Sequence, residues 1–323
     1  MERLVFGTED ETEIADVIAR FAKTQLGSAI RETLFERTSV GVVVGLELED
    51  GRRVVVKAHQ PRQRIEFLRT VFETQQYLAD QEFPCPRPVI PPTPMGEGFA
   101  TVEELVEVGF FADPHQPFIR EAIAKALARL VELTRPLGAP PALRHAWSLR
   151  DGEGLWPPTA HSPIFDFAAT AEGAEWIDEL ASEAKARIPV DDEELIVHSD
   201  WSGKHFRFND DGEITVVYDW DSLGLRTELQ ALGIAAATFT SNFEMDLFYA
   251  PAPDEVTVFI EEYAQARPVP LSKNEVLGAH AVAAYLMAYT ARCEHALGNR
   301  GHFNEALARF GSAYLAPEQR FGT

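Results

Sequence analysis

The strongest constraint on this chain is a short stretch in its second half, where two apolar segments each end in an aspartate. One reads Ile196-Val197-His198-Ser199-Asp200 and the other Ile214-Thr215-Val216-Val217-Tyr218-Asp219. Both have the β-branched character of strands, and Asn209-Asp210-Asp211-Gly212 supplies a turn between them. Asp219 follows Asp200 by nineteen residues, so a loop and hairpin can bring both carboxylates to one end of a ribbon and into one cleft. Phosphoryl transfer asks for such a pair. One carboxylate orients and deprotonates an attacking hydroxyl, and the other holds the divalent ion that neutralises the phosphates.

The chain around this pair divides by periodicity. Glu11 to Phe21 repeats apolar residues at helical spacing, after which Ile30 to Thr38, Val40 to Glu49 and Arg52 to His59 read as strands. Asp50-Gly51 between the last two is expected to form a type I′ hairpin turn. Arg62 to Gln81 returns to helical spacing and stops at a run of prolines from Pro84 to Pro94, expected as extended, polyproline-like chain. A strand over Phe99 to Val106 follows. Beyond Pro117 helices dominate, at Ile119 to Leu133, Glu175 to Ile188, Leu229 to Thr240, Glu255 to Ala266 and Ser272 to Leu297, and the Ile196 to Tyr218 region is the one β-like interruption. A small β-rich lobe therefore precedes a larger helical lobe, with a hinge near Glu103 to Glu107. A length of 323 residues suits two such units at about 150 residues each.

Composition narrows the function classes. With 29 Lys+Arg against 51 Asp+Glu the formal net charge is −22, which repels nucleic-acid backbones and anionic membrane surfaces and attracts cationic ligands. Two distant cysteines, Cys85 and Cys293, do not make a disulfide framework and suggest a reducing compartment. The acidic start lacks a signal-peptide pattern, and no apolar run approaches the ~20 residues of a membrane span, so a cytoplasmic location is expected. Cys293 falls in the apolar stripe Ala279, Val282, Leu286, Tyr289, Cys293 and Leu297, which reads as helix core rather than as part of a site with His295.

Around the two acids the sequence resembles the aminoglycoside phosphotransferase family of the protein-kinase-like superfamily. That family shares a His-Gly-Asp-x-x-x-x-Asn loop and an Ile-Asp-Trp-Asp/Glu motif; here the stretches read His198-Ser199-Asp200-Trp201-Ser202-Gly203-Lys204-His205 and Tyr218-Asp219-Trp220-Asp221. The resemblance implies an α+β, protein-kinase-like bilobal fold, with an antiparallel β-rich nucleotide-binding lobe over 1–106 and a mainly helical catalytic and substrate-binding lobe over 107–323. It implies an enzyme that uses ATP or GTP with Mg²⁺ or Mn²⁺ to phosphorylate a hydroxyl of a small molecule such as an aminoglycoside, cationic acceptors included. Asp200 is then the catalytic base and Asp219 the metal-binding acid. His205 stands where the family has a metal-binding asparagine and is taken as a second metal contact, while Ser199 replaces a glycine.

The same likeness assigns residues upstream. Val54-Val55-Val56-Lys57 places Lys57 as the phosphate-gripping lysine. Counting back from Pro84-Cys85-Pro86 gives Glu73 as its helix partner, with Glu66 as the fallback. Ser39 and Gly41 lie in the phosphate-covering hairpin, and the backbone of Glu104 and Val106 in the hinge would bind the nucleobase. Asp221 is left between assisting the metal and capping the next helix. Two other readings stay open: a non-catalytic nucleotide-binding scaffold of this fold, and a metal-dependent hydrolase built from His198, Asp200, His205 and Asp219.

Overall fold

A computed structural model describes residues 1–143, 154–157, 160, 162, 164–189 and 193–315. The chain forms two compact units. The first holds Met1–Val108 together with Val216–Asp221, and the second holds Gly109–Thr215 and Ser222–Thr323. The six residues that carry Asp219 thus belong with the β-rich unit, although they follow the Asp200 loop in sequence.

The first unit is built on an antiparallel sheet of five strands, β1 (Ile30–Thr38), β2 (Val42–Leu48), β3 (Arg53–Ala58), β4 (Pro88–Met95) and β5 (Gly98–Glu104), in the order β1-β2-β3-β5-β4. Alternation along β3 decides what each face meets. Val54, Val56 and Ala58 join a core with Ile14, Ile18 and Phe21 from α2 (Glu11–Phe21) and Val5 and Phe6 from the short α1 (Glu2–Phe6). Val55 and Lys57 point to the other face, against α3 (Ile65–Asp80), whose buried stripe is Phe67, Leu68, Val71, Thr74, Gln75 and Leu78. Asp10 starts α2 by accepting hydrogen bonds from the N–H groups of Thr12 and Glu13.

Two local expectations change. The β2–β3 turn is not type I′, which needs positive φ at both central residues. Here Gly51 has φ 86° while Asp50 does not have positive φ. The Gly51 N–H donates to the Leu48 carbonyl and the Leu48 N–H to Arg52, so the connection is a type I turn closed by a left-handed glycine. The proline run is not free polyproline chain either: Pro88–Met95 pairs with β5 as an edge strand, with two register shifts. Prolines lack the N–H that a central strand must donate, and an edge position with irregular pairing tolerates that loss.

The second unit contains α4 (Pro117–Thr134), α5 (Glu175–Arg187), α6 (Glu228–Thr238), α7 (Pro253–Ala266), α8 (Lys273–Ala296) and α9 (His302–Phe310). Its strand β6 (Glu194–His198) pairs antiparallel with β9 (Leu223–Thr227), and β7 (Phe206–Phe208) forms a ribbon with β8 (Ile214–Val217), which then carries the chain into the first unit. Strand β9, helix α9 and the first short helix had no expectation from sequence. The central helix α8 starts at a capping box of Ser272 and Glu275 and is buried nearly all round, with alanines at 279, 281, 283, 284, 288 and 291. Both cysteines are free thiols, and burial pushes each up to about 12. No helix among the described residues is long and apolar enough to cross a membrane.

Where α6 meets α8, a Cβ on Gly233 would stand 2.5 Å from Val282 Cβ and 2.6 Å from the Ala279 carbonyl oxygen. Neither backbone nor a β-branched core residue gives way easily. We expect Gly233→Ala to lower the stability of this unit by about 1–3 kcal/mol, the usual cost of overpacking, and a thermal or urea unfolding curve that matches wild type would refute this.

Candidate active site

Lys57 lies on the face of β3 turned toward α3, and its side chain is only 13% accessible. A buried ammonium must be paired, because desolvation alone costs several kcal/mol. Its Nζ lies 2.9 Å from Asp221 Oδ1 and 3.2 Å from Glu103 Oε1. Burial would lower the pKa of Lys57, but Asp221 and Glu103 outweigh it and hold the ammonium well above the ordinary lysine value. Asp221 responds in the opposite sense: burial alone would raise its pKa, and the Lys57 charge keeps it well below the usual carboxylate range.

The helix carboxylate expected beside Lys57 is absent from this cluster. Glu73 is exposed on α3, and so is the fallback Glu66. At 3.6 residues per turn Glu73 lies about 200° around the helix from the buried Val71, on the solvent side. The inward position is Gln75, whose Nε2 donates to Glu103 Oε2 at 3.0 Å and to the Pro86 carbonyl at 2.8 Å. Glu103 comes from β5, where it pairs with Val55 and therefore shares a sheet face with Lys57. Counting from the prolines pointed to the wrong carboxylate. The buried stripe of α3 together with two-residue alternation from Lys57 across the sheet would have identified Gln75 and Glu103.

The segment after β8 is fixed within this unit by three contacts. The Val217 N–H donates to the Pro84 carbonyl at 2.7 Å, the Tyr218 hydroxyl donates to the Val106 carbonyl, and Trp220 packs edge-on against Phe83 at 5.7 Å. These contacts present Asp219, whose φ of 70° is unusual for a residue with a Cβ. They also place Asp221 on a single 3₁₀ turn, Trp220–Ser222, beside Lys57. In the hinge the Glu104 N–H is bound to the Arg87 carbonyl at 2.9 Å, whereas the Val106 N–H has no hydrogen-bond partner among the described residues. Ser39 and Gly41 form the β1–β2 turn, joined by a 3.0 Å bond from the Ser39 N–H to the Gly41 carbonyl. The strand register puts that turn next to the β3 end that carries Lys57, since Val43 pairs with Lys57 and Val42 with Ala58.

In the second unit the loop after β6 is held from below. Trp201 is buried, with its indole N–H directed at the Ile123 carbonyl of α4 and its ring 4.9 Å from Phe206. The Lys204 N–H donates to the Ser241 carbonyl at 3.0 Å. On this support Asp200 is surrounded by donors: Ser202 Oγ donates to Oδ1 at 2.7 Å, and Oδ2 receives Lys204 Nζ at 2.7 Å and His205 Nε2 at 3.0 Å. Its own N–H donates to His198 Nδ1 at 3.3 Å, so His198 props the loop. Burial would raise the pKa of Asp200, but the His205 and Lys204 contacts outweigh it and hold the carboxyl well below the usual range. An ionised, oriented carboxylate of this kind can accept a proton or order a hydroxyl. His205 meets the base itself, through the nitrogen that points at Asp200.

Because Asp200 is held ionised, its carboxyl carbon is expected to show no NMR titration step between pH 7 and 4, with Asp200→Asn used for assignment. A free aspartate is half protonated near about 3.9. A midpoint at or above that value would contradict the geometry.

Known proteins resemble this chain in fold and, through one family model, in sequence. A search of curated proteins finds no match. Among solved structures, amicoumacin kinase in complex with AMP-PNP, Ca²⁺ and Ami superposes with a TM-score of 0.57 at 13% identity, covering 92% of this chain and 99% of the other. Spectinomycin phosphotransferase with ADP and spectinomycin gives 0.55 at 11% identity, covering 93% of each chain. An aminoglycoside phosphotransferase from Alicyclobacillus acidocaldarius gives 0.54 at 12%, covering 89% of this chain and 90% of the other. At such identities these likenesses establish the kinase-like fold. The sequence itself matches the family model over residues 43–268, which takes in Lys57, Glu103, the Asp200 loop and Asp219, and the chain therefore belongs to the phosphotransferase enzyme family.

Proposed function

We propose that this enzyme transfers the γ-phosphoryl group of ATP, carried with Mg²⁺, to a hydroxyl of a small amine-bearing molecule. The observation that carries the reading is the paired, buried Lys57 on β3, a cation kept charged in a place where an unpaired lysine would not survive. Lys57 grips the phosphates. The Ser39–Gly41 turn covers them, and the free Val106 N–H and the backbone at Glu104 take the nucleobase. Mn²⁺ and GTP are the substitutes to compare.

Asp219 suits the metal, since Mg²⁺ prefers carboxylate oxygen, and when bound the ion neutralises charge on the phosphates. Asp200 orients the acceptor hydroxyl and accepts its proton, with His205, Lys204 and Ser202 fixing the direction of its lone pairs. In this scheme the first task of His205 is to position the base, through the Nε2 that it directs at Asp200, and a metal contact would fall to its other ring nitrogen. Positioning and charge neutralisation together supply most of the acceleration in such transfers. The acidic surface favours a cationic acceptor, and aminoglycoside-like molecules, with many hydroxyls and amines, are the class to screen.

Calorimetric titration of ATP with Mg²⁺ and with Mn²⁺ into wild type and Asp219→Asn tests the nucleotide half. Metal-dependent binding that the substitution abolishes is the expected result, and no binding under either ion would leave a degenerate scaffold or the metal-dependent hydrolase. For the transfer half, Asp200→Ala is expected to lower turnover by ~10²- to 10⁴-fold with little change in nucleotide affinity. Unchanged turnover would remove Asp200 from the role of base.

A further inference from the structure

The carboxylates around Lys57 differ in how firmly they are held. Glu103 is fixed at both ends of its carboxylate. Oε1 faces the ammonium at 3.2 Å and Oε2 accepts from Gln75, which is itself tied to the Pro86 carbonyl. Its side chain is 10% accessible, and it sits on a strand paired on both edges. Moving it would leave a buried anion unpaired and take from the buried Gln75 amide one of its two acceptors, a large cost. Asp221 is different in each respect. It stands on a lone 3₁₀ turn, its side chain is 36% accessible, and water can replace what it loses.

The space around the ammonium separates them further. The cavity lined by Lys57, Gln75, Glu103 and Asp221 measures about 20 Å³. That is room for one water and not for a phosphate group. An incoming phosphate therefore takes the more accessible side of the ammonium, which Asp221 holds at 2.9 Å. A phosphate adds a further anion to the carboxylates already about the ammonium, and the more accessible of its two direct partners, Asp221, yields at least cost.

Resting on the phosphotransferase reading, we infer that Glu103, braced by Gln75, is the permanent positioning residue for Lys57, and that Asp221 is a placeholder that the nucleotide phosphate displaces. Helix α3 then contributes an amide rather than a charge, and the lysine stays aligned through the sheet. Nucleotide binding at this position is an exchange of anions.

The test is calorimetric titration of ATP in EDTA, so that no metal contributes, into wild type, Lys57→Ala, Glu103→Gln, Glu73→Gln and Asp221→Asn, each checked by thermal unfolding. Glu103→Gln is expected to weaken ATP by about tenfold or more, the scale of one charged hydrogen bond, and Glu73→Gln to leave it unchanged. Asp221→Asn is expected to bind ATP at least as tightly as wild type, because the competing anion is gone. A role for Asp221 as a structural anchor predicts the opposite sign. If Asp221→Asn weakens ATP as Glu103→Gln does, the placeholder fails; if Glu73→Gln is the damaging change, the anchor fails. Should Glu103→Gln not fold, Gln75→Met removes the brace alone, and it must weaken ATP for the inference to stand. Wild-type affinity in Lys57→Ala would instead overturn the phosphotransferase reading itself.

Discussion

A lysine taken out of water has to be answered by carboxylates, and in the β-rich unit that requirement organises everything near Lys57. Strand β3 turns the residue away from the apolar core of α1 and α2, so its chain passes toward α3. Strand β5 answers with Glu103 because antiparallel register puts that position on the same face. The returning segment answers with Asp221, and it can do so only because Tyr218 and Trp220 anchor it against the hinge and Phe83. Backbone pairing and these anchors bring the three pieces of chain together, and the charge of Lys57 sets which side chains they turn toward it. The same convergence sets the conformation of Asp219, the residue between those anchors, at a positive φ that a side chain with a Cβ adopts only when its neighbours compel it.

The helical unit solves a parallel problem around Asp200. Helix α8, rich in alanine and buried on nearly every side, lets α5, α6 and α9 approach closely. Helix α6 in turn leads into the Thr240–Asn242 backbone that receives the Lys204 N–H. The loop is thereby fixed at Trp201 and Lys204, and the carboxylate between them is addressed by a hydroxyl, an ammonium and an imidazole. Such a group is oriented before any acceptor arrives. Preorganisation of this kind lowers the reorganisation needed in the transition state.

What the sequence disclosed follows from where the physics is local. Strands β1, β2, β3 and β5 and helices α2 to α8 were legible because burial imposes a period of two or of 3.6 on their residues. The two aspartates and Lys57 were legible because each ends or occupies an apolar strand of the expected kind. The lysine's partner was not, since it depends on cross-strand register and helix phase rather than on distance along the chain. Counting eleven residues back from the prolines gave Glu73, while three-dimensional phase gives Gln75 and Glu103. The edge strand β4 escaped notice because proline composition argues against strands in general and cannot reveal that an edge is free. The Asp50-Gly51 pair marked the hairpin correctly, but the turn type depended on whether Asp50 would accept positive φ, and the neighbouring hydrogen bonds left that to the glycine alone.

Both charged clusters share a property with consequences for affinity. Within its own unit, each group proposed to act on substrate is already satisfied by protein: Lys57 by two carboxylates, and Asp200 by three donors. An unpaired buried charge would bind its ligand strongly but would cost the folded state several kcal/mol while it waited. A paired charge keeps the apo protein stable and gives back part of that gain when the ligand arrives, because one partner must be exchanged for another. The arrangement therefore favours modest ground-state affinity and reserves the stronger interaction for the moment when charge moves, as transition-state complementarity requires. On the proposed reading the resting ion pairs would belong to the catalytic design, and the more accessible Asp221, rather than the buried Glu103, would be where substrate and protein compete for the same cation.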